Sequence, residues 1–304
     1  MTPASFANPF KEDGSWFKGN IHTHTTNSDG ALNTHQISLL YQSKGYDFLF
    51  ITDHGKVTDV KELSDSFRGE FLVISGVELD IGESTVGTKY HLVGLNLDRL
   101  IESDNPQSAI NEISKEGGEV VIAHPYWSSL TINDLLKLDG YLGMEIFNTT
   151  CHFSVAKGDS AVHWDDLLIR GRFVFGFAVD DAHWHFNPHR PVDACYCWIM
   201  VKARSLKEES LMNSIRNGLF YSSNGPKIFT VDIDEKSVRV ESSSARAINF
   251  ITKNGIGERF TALNEPIVDA EYKLKGIEKY LRIEVEDENG GTAWTNPIIF
   301  TQSI

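Results

Sequence analysis

Within the first 183 residues, short apolar runs stop again and again at a histidine or an acidic residue, and this repeated punctuation constrains the fold more than any other feature. Trp16-Phe17 followed by Ile21 leads into His22 and His24. Phe48 to Thr52 leads into Asp53-His54-Gly55, and Phe71 to Val77 into Glu78. Val120 to Ala123 leads into His124-Pro125, and Phe173 to Val179 into Asp180-Asp181-Ala182-His183. Short apolar runs bounded by Gly, Pro or charge read as buried strands. They alternate with helix-like segments, Thr34 to Lys44, Pro106 to Lys115 and Val162 to Arg170. This alternation predicts an α/β fold of parallel strands joined by helical crossovers. In such sheets and barrels the chemistry gathers at the carboxyl ends of the strands, where these polar residues fall.

The residue types at those ends are metal ligands. In an extended segment residues i and i+2 share a face, so His22 and His24 can reach one ion. Imidazole nitrogens suit zinc, iron or manganese, and Asp29 in the Ser28-Asp29-Gly30 turn adds a hard oxygen. A single His-x-His is as readily a surface pair, and any one strand-end His or Asp as readily a satisfied polar group. Repetition decides between these readings. His22, His24, His54, His91, His124 and His183, six of the eleven histidines, fall at strand ends or adjacent turns together with Asp29, Glu78 and Asp181. His91 departs from the pattern, because Tyr90-His91-Leu92-Val93-Gly94-Leu95 puts it near a strand start.

The series His22-Thr-His24 with Ser28-Asp29-Gly30, then Thr52-Asp53-His54-Gly55, Gly76-Val77-Glu78, Ala123-His124-Pro125 and Asp181-Ala182-His183, resembles the motif series of the polymerase and histidinol phosphatase (PHP) superfamily. The resemblance covers roughly residues 16 to 222. Trp16 to Asn20, Gly176 to His183, Arg216 to Pro226 and Ala293 to Pro297 look closest to its carbaryl-hydrolase-like branch. The resemblance implies a distorted seven-stranded β/α barrel holding two to three divalent ions (Zn, Mn or Fe). Carried over position by position, it gives His22, His24, Glu78 and Asp181 to a first ion. Glu78 would bridge to a second, held also by His91 and His124, and Asp29, His54 and His183 would hold a third. Some relatives use His where this chain has Asp29.

Composition bounds the rest. With 41% hydrophobic and 23% charged residues, the 304-residue chain is ordinary for a soluble protein with a core. Met1 to Asn20 lacks a basic stretch followed by an apolar one, and no run approaches the roughly 18 apolar residues that cross a bilayer. No membrane association is therefore expected. Cys151, Cys195 and Cys197 are too few for a disulfide framework, which fits a reducing cytoplasm; Cys195 and Cys197 read as alternating residues of a buried strand. After residue 225 helical periodicity gives way to short alternating runs separated by Gly225-Pro226, Asn254-Gly255 and Glu288-Asn289-Gly290-Gly291. Residues 1–225 are thus read as the hydrolase barrel and 226–304 as a small all-β, sandwich-like accessory domain that packs on the barrel or shapes its cleft.

A formal net charge of −14 disfavours a nucleic-acid duplex as partner, since such binders present a basic face. A small phosphorylated substrate remains compatible, because bound cations add positive charge inside the cleft. Lys18, Arg190 and Asn148 are the candidate substrate-binding residues. The loop from Trp184 to Arg190 reads as substrate-facing, and Glu145 and Asn148, at a further strand end, as partners orienting a ligand. Asp53 reads either so or as a turn acceptor. His35 and His163 lie in helix-like segments and carry no chemistry. With no G-x-S-x-G elbow, the expected reaction is hydrolysis by a metal-bridged hydroxide. Glu78, Asp181 and His183 are the candidate catalytic residues. His183 or His152 could donate a proton, although an imidazole bound to metal is a poor acid, so an unbound group or water serves better. The expected function is a metal-dependent phosphoesterase. Hydrolysis of a carboxylic or carbamate ester, or a metal-binding scaffold without turnover, are the alternatives.

Overall fold

The structure is a computed structural model and describes residues 3–300, so the last four residues of the expected accessory domain lie outside the described residues. After β1 (Pro3–Ser5), the N-terminal part contains β2 (Ser15–Asn20), β3 (Phe48–Ile51), β4 (Leu72–Ile81), β5 (Tyr90–Leu95), β6 (Glu119–Ile122), β7 (Gly143–Asn148) and β8 (Phe175–Val179). Between them run α1 (Thr34–Ser43), α2 (Lys61–Ser66), α3 (Pro106–Lys115), α4 (Ile132–Lys137), α5 (Thr149–Val155) and α6 (Ala161–Ile169). Local signals set the helix starts. Asn33 caps α1 through a reciprocal capping box with Gln36, and Asn105 caps α3 with Pro106 in the first turn.

The seven strands β2 to β8 pair in sequence order, but not all in one direction. β2/β3/β4 and β6/β7/β8 are parallel, whereas β5 is antiparallel to both β4 and β6. This corrects the expectation of uniformly parallel strands: the eight residues between β4 and β5 leave no room for a helical crossover, so the chain turns straight back. The hydrogen-bonded path from β2 to β8 is open. Its ends meet at one bridge beyond the strands, Thr23 to Ala182, where the His24 amide donates to the Ala182 carbonyl at 2.9 Å.

Alternation within each strand explains the continuous apolar runs. Phe48 and Phe50 of β3 point to the interior with Ile74, Val93, Val121 and Phe177, while Leu49 and Ile51 pack outward against Ile37 and Tyr41 of α1. A second outer layer joins Ile110 and Ile113 of α3, Leu135 of α4 and Trp164 and Leu167 of α6.

β9 (Trp198–Ala203), α7 (Glu208–Arg216) and β10 (Phe220–Ser223) lead into β11 (Ile228–Ile233), β12 (Ser237–Ala245), β13 (Ala247–Ile251), β14 (Glu258–Thr261), β15 (Ile267–Lys273), β16 (Tyr280–Glu286), β17 (Thr292–Thr295) and β18 (Ile298–Phe300). β9 pairs with β2, and β10 joins β9 to β17, so one ladder runs from the N-terminal strands into the C-terminal all-β part. A separate sheet, β11-β12-β15, closes a core of Val231, Val240, Tyr272, Phe250 and Ile283.

Polar anchors tie the two parts together. Arg282 of β16 is 2% exposed and donates to Asp165 of α6 at 2.8 and 2.6 Å, and Tyr280 adds a third bond to Asp165. Arg282→Ala leaves that carboxylate without its buried partner, and a loss of roughly 3–5 kcal/mol is expected. Urea unfolding of the variant checks this value.

Candidate metal centre

The strand ends converge on one rim. His22 and His24 follow β2, His54 follows β3, Glu78 lies in β4, His124 follows β6, and Asp181 and His183 follow β8. Antiparallel β5 explains His91: because β5 runs backwards, its first residues meet the same rim that the other strands reach with their last, and His91 pairs directly with Asp80 of β4. All nine expected ligand positions therefore lie around a single cleft.

The innermost donors are His22 Nε2, His24 Nε2, Glu78 Oε2 and Asp181 Oδ1, all on buried residues. Five of their six separations run from 3.0 to 3.3 Å: His22 to Glu78 is 3.0 Å and to Asp181 3.3 Å, while His24 to His22 is 3.1 Å, to Asp181 3.0 Å and to Glu78 3.2 Å. Bonds of about 2.0–2.1 Å to a tetrahedral ion place neighbouring donors about 3.3 Å apart, so this set has the spacing of a divalent-metal site. His22 Nδ1 donates to Glu145 Oε1 at 2.6 Å, which leaves Nε2 as a lone pair aimed at the other donors.

The other Glu78 oxygen, Oε1, lies 2.9 Å from His91 Nδ1 and 3.3 Å from His124 Nε2. One carboxylate thus faces two donor sets, as a bridging ligand must. Farther out, Asp29 Oδ2 lies 3.4 Å from His183 Nε2 and 3.7 Å from His54 Nε2. His183 Nδ1 donates to the Asp181 carbonyl at 2.8 Å, so its Nε2 is free to act as a ligand. That position disfavours His183 as a proton donor.

Electrostatics point the same way. Burial opposes a charge on His22, yet Asp181, Glu78 and Glu145 raise its pKa well above the ordinary value. Burial likewise opposes charge on His54 and His183, but Asp80 beside the first and Asp29 beside the second push both up to about 9. Burial alone would raise Glu78 and Asp181; the neighbouring His22 leads the histidines that hold both well below the usual carboxylate range. The carboxylates require positive charge between them, and divalent ions meet that requirement while leaving the imidazoles unprotonated as ligands.

Supporting residues hold the donors in place. Glu145 also accepts from the His124 amide and from Asn148 Nδ2, both at 2.8 Å, and Asn148 Nδ2 reaches Asp181 Oδ2 at 3.1 Å. Asn148 Oδ1 meanwhile caps α5 through the Cys151 amide. Asp53 accepts from the Thr25 amide and hydroxyl, Ser28 and Thr58, which makes it a turn acceptor that pins the loop carrying Asp29. A Cβ on Gly30 would lie 2.5 Å from the His24 carbonyl oxygen, so glycine lets this loop pack against the strand end. His124 and Asp181 adopt positive φ, +25° and +55°, a strained backbone of the kind found where geometry serves a site. Glu145→Gln weakens the His22 and His124 supports, and metal affinity is expected to fall roughly 10–100-fold. Competition with a chelator measures this.

The cleft in front of the cluster encloses about 320 Å³ and is lined by Asp29, His54, Glu78, His91, Trp127, Cys151, His185 and Arg190 among others. Arg190 is among the lining residues. Two substrate-binding expectations are corrected. Lys18 lines a different cavity, where its ammonium sits 3.9 Å from the Tyr46 ring centre and 4.2 Å from that of Trp198, because the middle of β2 is far from its ligand-bearing end. Asn148 is fully buried behind Glu145 and Asp181, so it orients ligands and does not meet substrate. His152 packs against Phe147 and Phe153 and is not among the lining residues, which removes it as a proton donor.

Sequence reasoning missed Trp127, Cys151 and Asp80. Trp127 packs edge-on to His91 and His124 at ring-centre distances of 5.6 and 5.0 Å, and Cys151 lies with His124 and Asp181. Asp80 follows Glu78 by two residues on the same strand, a same-face signal that could have found it.

No family model matches the chain. An uncharacterized protein of Methanocaldococcus jannaschii, MJ1587, is 27% identical over 124 residues, covering 36% of this chain and 68% of that protein. Among solved structures, an amidohydrolase from Chromobacterium violaceum covers 54% of this chain and 87% of its own at 16% identity and a TM-score of 0.42. A two-domain protein from Bacteroides vulgatus, described as containing a predicted PHP-like metal-dependent phosphoesterase, aligns over 93% of this chain and 95% of its own, with 15% identity and a TM-score of 0.50. What this chain shares with that two-domain protein is the fold.

Proposed function

We propose that the chain is a metal-dependent phosphoesterase acting on a small phosphorylated molecule in this cleft. The observation that carries the reading is Glu78, whose two oxygens face two separate sets of imidazole donors. In this reading β2 to β8 form the PHP-type barrel, residues 1–225 the hydrolase domain and 226–304 its accessory domain. The narrower likeness to the carbaryl-hydrolase-like branch rests on sequence runs alone. The free thiols of Cys151, Cys195 and Cys197 accord with a reducing compartment, and no helix among the described residues is long and apolar enough to cross a membrane.

Divalent ions held by His22, His24, Glu78, Asp181, His91 and His124, with an outer ion near His54, would lower the pKa of water and neutralise phosphoryl oxygens. The chain's own groups do the rest. Arg190 faces the cleft from the loop after β8 and can pair with substrate oxygens. Asp193 accepts from the His183 and Trp184 amides and from the Thr150 hydroxyl, and so fixes the start of that loop against α5. Glu145 keeps His22 and His124 aligned. Trp127 walls one side of the cleft, edge-on to His91 and His124.

A turnover screen with Mn, Zn and Fe supplied in turn tests the proposal. Phosphoester hydrolysis is expected, with activity lost on chelation and inhibition by inorganic phosphate. Carbamate or carboxylic ester turnover without phosphatase activity would overturn the substrate class.

A further inference from the structure

We propose that Asp80 is a metal ligand, and that the outer ion is held by His54 Nδ1 and Asp80 Oδ1, with Glu78 Oε2 shared between this ion and the innermost donor set. This rests on the reading of the cluster as a divalent-metal centre, and it adds a residue that none of the expected ligand sets contains.

Alternation along β4 puts Asp80 on the same face as Glu78, and the β4/β5 ladder sets it opposite His91. Asp80 Oδ1 lies 3.3 Å from His54 Nδ1 and 3.2 Å from His91 Nδ1, and His54 Nδ1 lies 3.3 Å from Glu78 Oε2. His54 Nδ1 is a buried atom with no hydrogen-bond partner, although two carboxylate oxygens stand this close. Neither oxygen lies along a usable N–H direction. Donors at hydrogen-bonding range but out of line are arranged as ligands sharing a cation are, with edges near the 3.3 Å or so that bonds of about 2 Å produce.

The alternative outer set is looser. Asp29 Oδ2 lies 3.7 Å from His54 Nε2 and 3.4 Å from His183 Nε2, and the Asp29 side chain is 54% exposed. A neutral imidazole offers one lone pair, so His54 serves one side at a time, and Asp80 and Asp29 compete for it. His24 Nδ1, on the Asp29 side at 3.7 Å from Asp29 Oδ1, is likewise buried without a partner, so it is the tighter spacing around Asp80 that favours the Asp80 side. Contact with His91 places this ion beside the one shared by Glu78, His91 and His124.

The test is metal binding by the full-length chain, stripped with chelator and titrated with Zn²⁺ or Mn²⁺, with ions per chain counted by elemental analysis after dialysis. Asp80→Asn is nearly isosteric at a half-exposed position, and circular dichroism confirms its fold. Compared with the wild type, this variant is expected to lose one ion or bind its weakest ion at least about tenfold less tightly. The tighter ions should be unchanged, and Asp29→Asn should keep the wild-type count. With Co²⁺, Asp80→Asn should alter the visible absorption of the last equivalent only. Asp80→Asn with wild-type stoichiometry and affinity would overturn the proposal, as would loss of the outer ion in Asp29→Asn. A wild-type chain that binds no ion at all would overturn the metal-centre reading itself, a result distinct from either variant outcome.

Discussion

Glu78→Gln is expected to lower kcat/KM for phosphoester hydrolysis by on the order of 10³ or more, with at least one ion per chain lost. Glu78 is 1% exposed, and its oxygens contact His22, His24, His54, His91 and His124, so one substitution removes a charge from the inner set, from the His91/His124 set and from the side of His54 that faces Asp80. Asp181→Asn should act through the first set alone, leaving the ion near His91 and His124 in place. The fold should survive both changes, because the strands beneath are held by apolar cores that do not depend on the carboxylates. Elemental analysis, near-UV circular dichroism and steady-state kinetics on the same preparations separate lost metal from lost structure. Near wild-type turnover with unchanged metal content in Glu78→Gln would refute the bridging role.

Metal loading is expected to raise Tm by roughly 6 °C per ion at concentrations about 1,000-fold above Kd, since binding one ion to the folded state alone contributes about 4 kcal/mol under those conditions. The chelated protein should show a steeper pH dependence than the loaded protein. His54 and His183 are raised to about 9 in the folded chain, against about 6.5 for an unfolded histidine. Their contribution to stability is therefore complete below about pH 6.5 and is lost as the pH rises to about 9, where the folded-state protons leave. Chelated Tm should fall across that window, while an ion at His54 replaces one of those protons and should lessen the fall. Thermal scans from pH 6 to 9.5 with and without Zn²⁺ decide this. A parallel decline in both forms would contradict the placement of an ion at His54.

The candidate ligands at the ends of forward-running strands were legible in the sequence. A buried strand needs a continuous apolar run, and the run breaks where the chain emerges at the rim, so His22, His24, His54, His124 and Asp181 mark their own positions. His91 could be recognised only by resemblance. Its place at a strand start made sense once β5 proved antiparallel, a pairing that depends on the short connection after β4 and on what lies beside it in space. Asp80 was open to the same alternation argument as Glu78, but its value as a donor comes from His54 and His91, which sequence distance conceals.

Lys18 shows the limit from the other side. Nearness in sequence to His22 suggested nearness in space, yet four residues of extended chain carry it roughly 13 Å along the strand, and it stacks on Tyr46 and Trp198 instead. Asn148 was correctly placed at a strand end, but its orientation depends on Glu145, Asp181 and the start of α5, all fixed by packing. By itself, then, the sequence determined which residues are ligand-type, where most strands lie and on which rim most of the candidate ligands gather, because periodicity and burial are local properties of the chain; the run with Cys195 and Cys197, read as strand, enters β9 only at Trp198. The tertiary structure alone decided which nitrogen of each imidazole faces inward, which carboxylate spans two donor sets and which charged groups stay outside the cleft, because these depend on ångström-scale contacts between segments far apart in the chain.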